Sequence, residues 1–430
     1  MRSVISLPPA LVHQDFRRLW TSMLCSGLAL QMAQVAIGWQ VYSIRHSALD
    51  LGLIGLAEFV PVPLLALPAG QLADRLPRVG VVIVTGFGDA AVMGLLLVVT
   101  LHGATQVWPF LALAALTGTI AALGNPAGRS LTPELVPADL LTGALALRSI
   151  AGQVSTIGGP ALGGLLFALH PEVVYATAIA LLVASSLILL RVKRPEAVAR
   201  SASEPAGLHT LFAGIRFIRA TPVLLGAITL DLFAVLFGGA VALLPLYAKS
   251  ILHTGPFGLG VLRSMIAVGA LLAGFRLARR PLRGNAGRTL LVVVGGFGAS
   301  MVVFGLSHSI WLSGAALAAS GFFDMYSMNI RQTIVALATP NRLLGRVNAV
   351  EGVFIGASNE LGAFESGAAA ALVGAVPAVV AGGALTIALA LIWPRVFPQL
   401  AAVDRLSAAS LREVLPVGGS GPAPSPEPAD

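Results

Sequence analysis

The stretch GQLADRLPR, Gly70 to Arg78, stands between two long apolar runs, Leu49 to Ala69 and Val79 to Leu101. Each run is long enough to cross a bilayer as a helix. The link between them has room only for a tight turn. It carries an acid, Asp74, and two arginines, Arg75 and Arg78, in a chain otherwise poor in charge.

The composition fits this reading. Of 430 residues, 56% are hydrophobic and 11% charged, whereas a soluble domain carries about 25% charged residues. The bilayer is the solvent that such a chain requires. A net charge of +8 could suggest nucleic-acid binding. However, the basic residues fall in short clusters between apolar runs, which is the pattern of membrane topology. The single cysteine, Cys25, lies inside the first run and reads as a small core residue.

Twelve spans are predicted, at about 16–44, 49–72, 79–101, 107–128, 138–168, 171–191, 222–248, 257–279, 288–307, 309–332, 346–373 and 376–397. Basic residues cluster before the first span and after the second, fourth, sixth, eighth, tenth and twelfth. This predicts an even number of spans with both termini cytoplasmic. The halves are then 1–191 and 222–397. Residues 192–221 form a cytoplasmic linker, and 398–430 a tail whose Gly, Pro and Ser end is expected to be disordered. Within the linker, LHTLFAGIRFIRA has the pattern of a helix lying on the membrane surface. The two halves carry an internal echo. Gly70-x-x-x-Asp74-Arg75-x-Pro77 returns roughly two hundred residues later as Gly274-x-x-x-Ala278-Arg279-x-Pro281. Arg129…Pro137 likewise returns as Arg331…Pro340.

Gly70, Asp74, Arg75 and Arg78 match the G-x-x-x-D-R-x-x-R loop after the second helix of major facilitator superfamily transporters, with Pro77 where glycine is usual. The chain resembles that superfamily from Phe16 to Leu406. It is most similar to the bacterial enterobactin-exporter and drug-efflux branch, in FRRLW at 16–20, DLFAVLFGGAVALLP at 231–245 and GASNELGAFESG at 356–367. The resemblance implies an all-α membrane fold of twelve helices in two pseudo-symmetric six-helix bundles. It also implies proton-driven export of a small amphipathic molecule, and an Asp74 loop that locks the cytoplasmic side against the eleventh helix. Gly159, Pro160, Gly163 and Gly164 match the fifth-helix pattern of drug–proton antiporters. The fourth-helix arginine usual in that group is missing before Arg129.

An ionisable side chain inside hydrocarbon is costly and so is a functional candidate. These are Glu58, Asp89, Arg148, Asp231, Arg263, Asp324, Glu351, Glu360 and Glu365. Each could equally belong to a structural ion pair. The superfamily lines its cavity with helices 1, 4, 7 and 10, which puts Asp231 and Asp324 first among the acids. Glu360 is first on the eleventh helix. Glu351, Glu365 and Glu58 complete the proton-coupling candidates. Substrate-cavity candidates are Gln31, Gln34 and Trp39, with Phe323, Met325, Tyr326, Met328 and Arg331; core packing is the alternative for the methionines. Ala151, Ser155, Gly159 and Gly163 form a small-residue stripe for close helix contact.

No HExxH, paired-cysteine or Walker motif occurs. We therefore expect a transporter rather than an enzyme, with no cofactor and no metal, no nucleic-acid partner, and a monomer in the lipid bilayer. Import by proton symport, and a non-transporting polytopic membrane protein, are the competing readings.

Overall fold

The computed structural model describes residues 8–65, 76–192, 208–280, 282 and 284–404. Twelve long helices account for most of them. The first six are α1 (Gln14–Arg45), α2 (Ala48–Leu65), α3 (Arg78–Leu101), α4 (Trp108–Glu134), α5 (Leu141–Leu169) and α6 (Pro171–Leu189). The second six are α7 (Pro222–Ile251), α8 (Gly255–Arg279), α9 (Ala286–Leu306), α10 (Ile310–Ala338), α11 (Asn341–Val373) and α12 (Ala375–Val396). Ten of these are long and apolar enough to cross a membrane by length and hydropathy alone. The other two, α10 and α11, are the helices that carry Asp324 and Arg331, and Glu351, Glu360 and Glu365. No strand occurs among the described residues. In hydrocarbon the backbone must bond to itself, and helices do this within each segment.

The packing repeats between halves. In the first half α1 packs on α5 and α6, and α3 on α4 and α6; in the second, α7 packs on α11 and α12, and α9 on α10 and α12. The halves meet along two seams, α5 with α8 and α2 with α11. This is the arrangement of two parallel six-helix repeats. A helix at Leu208–Ala220 occupies the predicted linker and packs on α11 and α7. Its Gly214 lies against the Arg346 carbonyl, where a Cβ would approach to 2.9 Å. Phe212, Arg216 and Arg219 are exposed.

Several helices differ from the sequence expectation. The chain predicts one continuous seventh helix, but α7 is α-helical only to Gly238. A 3-10 turn at Ala240–Leu243 follows, and a π-helical turn at Tyr247–Ile251 closes the span. The glycine pair Gly238–Gly239 and Pro245, which cannot donate a backbone hydrogen bond, account for the break. The fourth helix was expected to stop near 128, yet α4 continues to Glu134 through Pro126 and Pro133. Arg129 is therefore inside α4, not after it.

A second internal repeat appears where α1 and α7 end. Ser43-Ile44-x-His46 and Ser250-Ile251-x-His253 occupy equivalent turns, and both histidines are left-handed, with φ of 51° and 50°.

Candidate functional site

Two features define the site: a seal between the halves at one end of the bundle, and a cavity beneath it. The seal is at the end where α1 leads into α2. There the two repeat motifs exchange hydrogen bonds. The Tyr42 and Ser250 hydroxyls bond at 2.8 Å, and Lys249 Nζ donates to Ser43 Oγ at 2.7 Å. The residue before each serine thus reaches the serine of the other half. Lys249 also lies over the Trp39 ring, 5.6 Å from its centroid. Buried Val35 and Ala48 of the first half pack with Leu243, Leu244 and Tyr247 of the second.

The two seams are sealed at the same end by close backbone approach. A Cβ on Gly164 would lie 2.6 Å from the Pro256 carbonyl, and one on Gly260 would overlap the Pro160 carbonyl. Ser264 Oγ donates across this seam to the Ile157 carbonyl at 2.6 Å. On the other seam, a Cβ on Gly367 would lie 2.7 Å from the Ala48 carbonyl, and one on Gly52 3.0 Å from the Phe364 backbone. Gly159 and Gly163 face α1, against Gln31 and Met32. The Gly159–Gly164 motif therefore packs α5 on α1 with one face and on α8 with another. Small residues permit such contact.

At the opposite end, where α1 begins, the same helices stand apart. Gly143 and Gly152 of α5, and Gly345, Gly352 and Gly356 of α11, have no atom of another helix within 4 Å of an added Cβ among the described residues. Ile150, Val154 and Val353 beside them are exposed.

Between seal and opening lies a cavity of about 850 Å³ with walls from both halves. It is lined by Glu58, Asp89, Asp324 and Glu360 and by Arg129, Arg148 and Arg263, within a largely apolar surface that includes Met23, Met93, Phe297 and Met301. Arg263 of α8 donates to Gln34 Oε1 of α1 at 2.5 Å, so it ties the halves together at the cavity. The charges of Glu58 and Glu360 both act on it. Glu360 reaches across the seam toward Gly55, one turn from Glu58. Arg148 is held by the Gly128 carbonyl at 2.8 Å and Thr132 Oγ1 at 3.1 Å.

The sequence candidates fall into four groups. Gln34, Glu58, Asp324 and Glu360 line the cavity. Asp231, Arg331 and Glu351 do not; they form a buried ion triad inside the second half. Arg331 contacts the Asp231 carboxylate, and its Nε donates to Glu351 Oε1 at 3.1 Å. Arg331 stands against both carboxylates where water has little access, so this cluster links α7, α10 and α11.

The third group packs elsewhere. Phe323, Met325 and Tyr326 face a cluster with Ala273 and Val293, between α10, α8 and α9. Trp39 meets Phe167 edge-on at 6.4 Å, and Gln31 lies against Gly159. Neither Met328 nor Glu365 is part of the cavity wall. In the last group, Gly70, Asp74 and Arg75 lie outside the described residues. Arg78 opens α3 and donates to Glu134 at the end of α4, at 2.6 Å.

Asp89 and Arg263 are wall residues that ranking by helix number passed over. The signal that could have found them was present, since both are charges in the middle of apolar runs.

Comparison with known proteins agrees with this architecture. The enterobactin exporter EntS of Citrobacter koseri is 27% identical over 88% of this chain and 92% of its own length. Among solved structures, an inward-facing bacterial homologue of the human lysosomal transporter Spinster covers 97% of this chain and 100% of its own, with a TM-score of 0.71 at 14% identity. An inward-facing bacterial homologue of the iron transporter ferroportin covers 90% of this chain and 98% of its own, with a TM-score of 0.65 at 18% identity. These likenesses show the fold of a multi-pass membrane transporter. The sequence profile described as transmembrane secretion effector matches residues 6–416, and the chain belongs to that family of the major facilitator superfamily.

Proposed function

We propose that the chain is a secondary active exporter that moves a small amphipathic molecule out of the cytoplasm by alternating access, in exchange for protons. One observation carries this reading. The cavity is sealed at one end by contacts between the halves and open at the other, and charged groups of both halves share it. Rocking one half against the other would exchange the open and sealed ends around the same cavity. With both termini cytoplasmic, in the inner membrane, the open end faces the cytoplasm. The name of the EntS relative supports export.

Uphill movement needs a gradient, read by groups that titrate in the membrane. Glu58, Asp324 and Glu360 are placed for this because they line the cavity, and the charges of Glu58 and Glu360 both act on Arg263. The loop of Gly70, Asp74, Arg75 and Arg78 would lock the cytoplasmic end once it closes. The test is an efflux assay with a substrate panel in a transporter-deficient host, with and without a protonophore. Uphill efflux that the protonophore abolishes, and that Glu360→Gln uncouples, is expected. Uphill efflux insensitive to the protonophore rejects proton antiport. Uptake in place of efflux rejects the direction.

A further inference from the structure

The cavity charges are unequal in what they already do. Arg263 is engaged by Gln34 and feels the charges of Glu58 and Glu360, and Arg148 is engaged by a backbone carbonyl and a threonine hydroxyl. Asp89 of α3 and Asp324 of α10 have neither an ion pair nor a hydrogen bond among the described residues. Asp324 faces the cavity from α10, within electrostatic reach of Asp231 and Arg331 but bonded to neither. These two carboxylates stand in the walls of opposite halves. Arg129, the third cavity arginine, is exposed and sits one turn from the end of α4, on the open side.

From this we infer that the transported molecule is an organic cation, held between Asp89 and Asp324 against the partly exposed apolar wall of Met23, Leu30, Ile37 and Phe297. An unpaired carboxylate in a confined, partly apolar space attracts a cation far more than it would in bulk water. An arginine already bonded within the protein has less to offer an anion. The apolar wall and a volume of about 850 Å³ suit a bulky organic ion, not a bare metal ion. The acids lie one on each half, so a cation bound by both would draw the halves together over the cavity, the movement alternating access requires. Asp324 is then shared between proton and substrate, and each excludes the other.

The inference rests on the transport reading but fails separately from it. The test uses the purified full-length chain in a non-ionic detergent and two isosteric probes, tetraphenylphosphonium and tetraphenylborate, by equilibrium dialysis corrected for empty micelles. With each probe assayed alone, saturable binding of the phosphonium and none of the borate is expected. Asp324→Asn should weaken it about tenfold, equivalent to about 1.4 kcal/mol, Asp89→Asn should weaken it less, and Asp324→Glu should retain most of it. The charge-conserving Asp324→Glu variant separates loss of charge from loss of fold. The inference is overturned by borate binding as tightly as the phosphonium, by unchanged phosphonium affinity in the double asparagine variant, or by no saturable phosphonium binding. Efflux of a panel compound without phosphonium binding leaves the exporter and removes the cation site. Phosphonium binding without efflux of any compound leaves the site and removes the exporter.

Discussion

The two ends of α5 and α11 use the same residue type in opposite circumstances. Toward the seal, Gly159, Gly163, Gly164, Gly362 and Gly367 are pressed against backbone or side chains of neighbouring helices. Toward the opening, Gly143, Gly152, Gly345, Gly352 and Gly356 meet no other helix among the described residues. A glycine inside an exposed helix is destabilising by roughly 0.5–1 kcal/mol relative to alanine. Glycines that touch nothing are therefore costly unless another arrangement uses them. In the proposed cycle each helix would carry two contact surfaces, one used when either end closes, with the cavity between.

The comparison can be broken or sharpened by substitution. The largest effect should come from a cluster that belongs to neither end. Arg331→Met leaves two uncompensated buried acids, Asp231 and Glu351, and should lower stability by about 3–5 kcal/mol. The yield of monodisperse protein and its thermal midpoint measure this. The Asp231→Leu, Arg331→Met, Glu351→Leu triple variant should recover much of the loss. A folded single variant would mean that the triad does not hold the second half together.

At the sealed end, Gly260→Leu forces a side chain into the Pro160 carbonyl. It should cost about 1–3 kcal/mol and prevent this end from closing, so transport should fall at least tenfold. Labelling of a cysteine at Val241 by an impermeant maleimide from outside the cell, in a Cys25→Ser background, should rise. Unchanged labelling would mean that the α5–α8 seam is not the seal.

At the open end, a Cβ added at Gly356 meets no atom of another helix among the described residues, which leaves room for Gly356→Leu. Its stability should stay within about 0.5 kcal/mol of the parent, yet transport should fall, because the side chain blocks the closed form of this end. Normal transport would show that the exposed glycines serve no second contact. Asp74→Asn tests the lock of the same end: reduced transport at normal membrane abundance is expected, and undiminished transport would remove the lock.

The smallest effect is expected in the polar seal. Lys249→Met removes the bond to Ser43 and the contact with Trp39. A loss of about 1 kcal/mol would favour opening of that end about fivefold. Labelling at Val241 reports it, and a rise as large as that of Gly260→Leu would reverse the ranking of polar against backbone contacts.

Some of this was legible in the chain because it depends on local properties. Apolar runs of bilayer length made the spans, and clusters of arginine punctuated them. Small residues at Gly159, Gly163 and Gly164 marked close helix contact. The placement of the charges was not legible, because it depends on which way each helix is turned and on what stands opposite. Asp231 and Asp324 both read as cavity acids, yet one is buried with Arg331 and the other faces the cavity. Glu351 and Glu360 share a helix and belong to different clusters. Lys249 reaches Ser43 from the π-helical turn that follows the break in α7. The sequence by itself determined the number of helices and the positions of their charges, since hydrocarbon imposes length and internal hydrogen bonding on every segment. Only the tertiary structure decided which charges neutralise one another and which remain free at the cavity. A carboxylate's role is set by whether a cation from another helix comes within bonding distance, and no spacing along the chain encodes that.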